Sequence, residues 1–259
     1  KVINEAKAEI TVRAKVFLLA VGCIETARLL LNSRAVHKNG LGNANDVVGR
    51  YFMDHPQSYL NSFTPSDSRL FDTLGLYDLR QKGPMSVMAK LTFKQELMRR
   101  EQIPNCCYVL FPRRDHFLSP GFLAFFSIML DIKGAARPGN LGKRVMAGVR
   151  GARDLIPIAV WWLQGTAHYP YVTKGGWAQL ADKSRLFKTF EIWTLQEQQP
   201  DPNNRIRLSE RRDYNGTPIV AIDWRFTEAD RTAVRRQRDL FKQEIEGAGL
   251  GTITWSKDV

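Results

Sequence analysis

LLAVGCIETARLLLNS, residues 18–33, is an apolar run that breaks at one glycine and restarts at once with helical spacing. Its upstream half, Val16-Phe17-Leu18-Leu19-Ala20-Val21, is continuously apolar and ends a stretch, residues 9–21, rich in β-branched and aromatic residues. That pattern predicts a strand covered on both faces, as in a parallel sheet with helices on each side. Thr26 to Asn32 then places Ala27, Leu29, Leu30 and Leu31 in a short helix. A strand that passes to a helix through glycine has two readings. It is either a cradle for a nucleotide phosphate at the helix N-terminus or an ordinary βα turn.

The remainder of the chain changes character. Asn39-Gly40 and Gly42-Asn43 mark turns. The segment 46–57 leads toward a strand, because His55 precedes Pro56 and is pushed toward extended backbone. Short strands are expected at 58–63, 73–79, 85–93, 106–112 and within 185–199, with a short helix at 94–101 and mainly helix over 119–165. Residues 201–226 read as a hairpin, with Ile206 and Leu208 alternating with arginines and Asn215-Gly216 at the turn. Val220, Ile222 and Trp224 are expected together on its buried face. Thr227 caps a helix over 227–248, which Gly247 and Gly249 bring to a stop. On that helix Phe241 and Ile245 are expected to face the core. Arg231, Arg235, Arg238 and Lys242 would form one basic stripe toward solvent. The fold class is thus α/β at the start, then a mostly antiparallel sheet with flanking helices, with the boundary near residue 57.

Composition sets limits. A hydrophobic share of 44% in 259 residues supports one or two real cores and argues against wholesale disorder. The net charge of +12 favours acidic partners of some kind. The arginines of the last helix lack the interleaved aromatics of a nucleic-acid platform, so no nucleic acid is expected. Three cysteines, two of them adjacent, build no disulfide framework or zinc site, and four scattered histidines make no metal cluster. The cysteine usage favours a reducing, cytoplasmic compartment. The longest apolar runs, FLAFFSIML (122–130) and LIPIAVWWL (155–163), fall short of the roughly 20 residues that span a bilayer. Buried helices are expected there, with peripheral membrane contact as the other use.

Three stretches, taken in order, resemble the glucose–methanol–choline family of flavin oxidoreductases. AKVFLLAVGCIETARLLLNS (14–33) looks like the strand, turn and helix that complete that family's FAD-binding domain. GLGNANDVVGRYFMDHP (40–56) is similar to the crossing into its substrate domain, and residues 200–234 to the hairpin and helix of that domain. The resemblance implies a partial FAD-binding domain over 1–57 and a substrate-binding domain over 58–259. It implies FAD as cofactor, an alcohol or sugar-like substrate oxidised at CH–OH, and hydride transfer to the flavin. Ala20, Gly22 and Thr26 become the cofactor-side residues, and His55 a candidate near the flavin. The family's GxGxxG loop and its C-terminal catalytic histidine have no counterpart in these 259 residues. The implied reading is therefore the middle of an enzyme, inactive alone, with its base elsewhere.

Other residues have plainer readings. Cys23 at the helix start is either a reactive thiol or a small buried residue, the latter being the commoner. Glu191 and Glu197 flank a strand and read as solvated carboxylates, the commoner case, or, as the resemblance implies, as groups facing substrate. His116 and His168 read as surface or loop residues. A non-catalytic basic module that docks on an anionic membrane or polymer is the rival to the enzyme, supported by the net charge and by the glycine-rich basic segment 139–153.

Overall fold

The computed structural model describes residues 2–3, 8–114 and 175–256, with single positions at 121, 124, 146, 149, 151 and 156. The chain is an α/β protein with a mostly antiparallel sheet and flanking helices. It divides into two compact units, Lys1–His55 with Glu197–Asp230, and Pro56–Gln196 with Arg231–Val259. The chain leaves the first unit after His55 and re-enters it after Gln196, so the hairpin of residues 201–226 belongs to the first unit.

In the first unit, β1 (Val2–Ile3) pairs antiparallel with β2 (Glu9–Ile10). The expected strand ends there. Residues 11–20 form no ladder, and successive apolar side chains stand in solvent, Val16 at 80%, Phe17 at 66% and Leu18 at 87% exposure. Neighbouring residues of extended chain point to opposite faces, so both faces are bare. A run of this kind forms a strand only with partners on its edges and cover on its faces, and among the described residues none lies alongside it. α1 (Gly22–Asn32) follows, burying Ala27 and Leu31.

Strands β8 (Arg205–Arg212) and β9 (Pro218–Asp223) form the expected antiparallel hairpin. Between β2 and this hairpin lie β3 (Gln57–Pro65), β4 (Arg80–Lys82), β5 (Met85–Val87), β6 (Cys106–Arg113) and β7 (Thr189–Gln196), and β10 (Gly251–Thr254) follows it. The hairpin turn closes on Asp213, whose carboxylate accepts the N–H groups of Asn215 and Thr217, while Gly216 takes φ +74°. Its buried face is narrower than expected. Ile206 is buried behind Gly49, but its cross-strand partner Ile222 and also Trp224 are each 41% exposed. β9 is the outer strand of a two-stranded ribbon, and the loop that covers β8 does not extend over it. A knot of hydrogen bonds ties the unit's late segments. The Asp230 carboxylate accepts from Thr227 N, Thr227 Oγ1 and Gln199 N, and Gln198 Oε1 accepts from Asp54 N and Trp224 Nε1.

The second unit holds a four-stranded antiparallel sheet in the order β10-β3-β7-β6. Alternation along β7 sets one face, with Phe190, Ile192, Thr194 and Gln196 in register with Pro112, Leu110, Tyr108 and Cys106 of β6. Phe63 of β3 and Ile253 of β10 continue that face. Phe71 of α2 (Leu70–Thr73) stacks on Phe190 with ring centroids 4.4 Å apart, and Trp177 meets Phe190 edge-on. α3 (Gln95–Glu101) lends Leu97 and Met98, and α4 (Lys183–Leu186) lends Leu186. TLGLYDL (73–79) was expected as a strand but is a helical end and a 3-10 turn, and of 85–93 Met85–Val87 forms a strand while Leu91 makes an isolated antiparallel bridge to Tyr108. Asp78 in that segment is buried and accepts the N–H groups of Gly176 and Ala178, which fixes the turn at Trp177.

α5 (Glu228–Gly247) buries Val234 and Phe241, with Tyr108 stacked on Phe241 at 3.9 Å between centroids. Arg238 departs from expectation. It is buried to 6% exposure, donates to Ser256 O and Ser58 Oγ, and stands 5.4 Å over the Trp255 ring. One turn after Val234 and beside Phe241 it lies on the rim of the buried face, where its stem covers apolar surface. The continuous basic stripe is thereby interrupted. No helix among the described residues is long and apolar enough to cross a membrane. Almost all of FLAFFSIML, LIPIAVWWL and the basic segment 139–153 lies outside the described residues.

Candidate functional site

The first unit carries an open groove of about 550 Å³ at the start of α1. Leu19, Ala20, Gly22, Cys23 and Thr26 form one wall, and Val47, Val48 and Gly49 the other. All three cofactor-side candidates, Ala20, Gly22 and Thr26, therefore meet at one place.

Local chemistry explains the walls. Gly22 has φ +81°, a left-handed value that a side chain would resist, and it lets the chain swing from residues 11–20 into the helix. No side chain caps α1, so its first turn opens directly on the groove. The second wall is a loop pinned at both ends. At one end Leu41 N donates to Leu30 O, and Gly40 packs so closely that a Cβ would stand 2.7 Å from that oxygen. At the other, Ile206 N donates to Gly49 O at 2.7 Å, and a Cβ on Gly49 would stand 2.2 Å from Ile206 O. Between them the Asn43 carboxamide oxygen accepts Val48 N. Val47 and Val48 are thus held opposite α1 by backbone bonds.

α1 is anchored in turn. Arg28 donates from Nε to Pro218 O at 2.9 Å and pairs with Asp213 at 2.6 Å. The turn N–H of Thr217, and then Arg28, hold the Asp213 carboxyl below its ordinary range. Nearby, Asp46 pairs with Arg50 and Arg205, whose hydrogen bonds lower its pKa likewise. These charges lie outside the groove lining, which is apolar apart from Thr26 and the Cys23 thiol. The groove offers shape and apolar contact, with no carboxylate, imidazole or amine in its lining. Among the described residues no group of His, Cys, Asp and Glu could hold a metal ion.

The remaining candidates separate from the groove. His55 is exposed, is not part of the lining, and its N–H goes to Asp54 Oδ1 at 2.7 Å. Cys23 is exposed rather than buried, because it sits in the open first turn of α1. Glu191 is not a solvated carboxylate. It is buried against Arg113, which donates from Nε at 2.9 Å, and it also accepts Leu60 N. Glu197 is exposed, and His116 and His168 lie outside the described residues. Sequence reading missed Val47, Val48 and Gly49. Their signal was an apolar pair between an Asn-Asp turn and a glycine, which fits a wall as well as it fits a buried loop.

No protein-family model matches this sequence, and no curated protein matches it.

Proposed function

We propose that this chain forms part of an FAD-dependent oxidoreductase of the glucose–methanol–choline type, acting on CH–OH groups of alcohol or sugar-like donors. The observation that carries the reading is the groove in which Ala20, Gly22 and Thr26 converge. Nothing lies within 4 Å of the point where a Cβ of Gly22 would stand, which suits the flat face of a ring laid against backbone. Leu19, Val47 and Val48 would supply apolar contact to such a ring, and Thr26 a hydroxyl at its edge. A bound flavin would supply the hydride acceptor. This chain's residues would hold and orient it and keep water from one of its edges. The bare run Val16–Val21 fits the same reading, as a strand of a Rossmann-like sheet whose neighbours lie outside these residues. The three free cysteines suit a reducing, cytoplasmic compartment.

The phosphate loop and the base must then come from outside residues 1–259. The test is the reading frame on either side of this stretch, followed by expression of the whole product. A strand with GxGxxG upstream, a histidine-bearing segment downstream and purified protein whose yellow colour bleaches with an alcohol or sugar would support the assignment. Stop codons on both sides, or a colourless product that takes up no FAD, would overturn it.

A further inference from the structure

We infer that the second unit contains an internal hydration site, where water bridges Thr194 and Gln196 of β7 to Gln237 of α5. This inference does not depend on the flavin reading. Thr194, Gln196 and Gln237 are 0%, 4% and 0% exposed. Thr194 Oγ1, Gln196 Nε2 and Gln237 Oε1 are each fully enclosed, and none has a hydrogen-bond partner in the protein. Buried polar atoms are almost always satisfied, because an unpaired one forfeits its hydration without return.

The three residues are linked through Tyr108 and Cys106. Thr194 faces Tyr108 across the β6–β7 ladder, and Gln196 faces Cys106. Residues directly opposite in such a ladder have Cβ atoms roughly 5 Å apart. The Tyr108 hydroxyl stands 3.8 Å from Cys106 Sγ and donates to Gln237 O at 3.0 Å. Gln237 is thereby joined to Tyr108, one of the two residues that Thr194 and Gln196 face. Trp255 Nε1, a fourth enclosed donor without a partner, belongs to an indole whose centroid is 6.3 Å from that of Tyr108.

Rotating the amides does not resolve the cluster. Gln237 Nε2 already donates to Pro104 O at 2.8 Å, so a flip would set two oxygens against each other. The set comprises an amide donor, a carbonyl acceptor and a hydroxyl able to do either. Water matches it, accepting from Gln196, donating to Gln237 and completing its third bond with Thr194. Ions are disfavoured, since no ionisable side chain belongs to the set. Water here would tie the end of β7 to α5 through a core otherwise built largely of apolar side chains.

Solution NMR of the chain tests this. The Gln196 Nε2 protons should show cross-relaxation with a long-lived water, with the sign of slow tumbling, and Thr194→Val should abolish it or at least halve its intensity. A high-resolution crystal structure of the unsubstituted chain gives a second reading that holds even if Thr194→Val does not fold. Density for water within about 3 Å of at least two of the three atoms would support the site. Side chains that bond directly to each other or to backbone, with no water between them, would overturn it. Water cross-relaxation unchanged in a folded Thr194→Val protein would do the same.

Discussion

The two units treat their apolar residues in opposite ways. In the second, Tyr108, Trp177, Phe190 and Ile192 are all at 0% exposure, locked together by ring contacts and by a continuous antiparallel ladder. In the first, the longest described apolar run has no ladder and stands in solvent, and the unit is held instead by charge-assisted and backbone hydrogen bonds such as Arg28–Asp213, Gly49–Ile206 and the Asp230 knot. The hydrophobic effect rewards only surface removed from water. The same residue types thus stabilise one unit and remain an unmet demand in the other.

Amide hydrogen exchange should separate them most sharply. Residues 15–20 should exchange at nearly unprotected rates, and the centre of β7 slower by roughly four orders of magnitude or more, since core strands exchange only on global opening. Comparable protection in the two segments would mean that residues 15–20 pair in solution, and would erase the contrast. Next in size is the core itself. Phe190→Ala should cost about 3–5 kcal/mol in urea melts, because Phe63, Phe71 and Trp177 would be left around a cavity. A loss below 1 kcal/mol would show a core able to collapse, less rigid than its packing implies.

Arg238→Ala should cost about 2 kcal/mol, as it strips charged donors from Ser58 and Ser256 and uncovers Trp255. Arg238→Lys should recover only part of that. If Arg238→Ala were silent, the residue would be a surface charge after all, and the basic stripe on α5 would be whole.

Acid should act on the first unit through Asp230. Burial opposes its ionisation, but hydrogen bonds from Thr227 N, Gln199 N, the Thr227 hydroxyl and Gln198 prevail, so its pKa is lowered. A carboxyl whose folded pKa lies below its unfolded value of about 3.9 leaves the unfolded chain holding more protons in acid. Its stabilisation is therefore complete above about pH 4 and is lost as the pH falls from there through the lower folded value. Urea melts from neutral pH into that range should show a shallower decline for Asp230→Asn than for the unsubstituted chain. Parallel profiles would remove Asp230 from the unit's stability.

The smallest expected effect is on the bare run. Val16→Ser with Leu18→Ser should change stability by no more than about 0.5 kcal/mol, while reducing self-association in light scattering. A larger destabilisation would show that this run is buried within the chain in solution.

The sequence by itself determined the local elements. The Asn-Gly turn of the hairpin, the helix that follows Thr227, the helix after Gly22 and the strands of β6 and β7 depend on turn chemistry, capping and alternation, and each forms where that logic places it. Ala20, Gly22 and Thr26, singled out through the family resemblance, line one groove, although the strand expected before Gly22 does not form. Tertiary structure alone decided what covers what. Val47 and Val48 reach the groove because Gly40 and Gly49 allow backbone contacts with α1 and with β8, the latter remote in sequence. Glu191 is buried because Arg113 stands diagonally across the β6–β7 ladder, and Arg238 because Ser58, Trp255 and Ser256 come to meet it. The apolar run at 16–21 has the composition of a central strand and yet stands open. Periodicity specifies which residues seek burial, but burial itself requires a second surface, and that surface belongs to other parts of the chain.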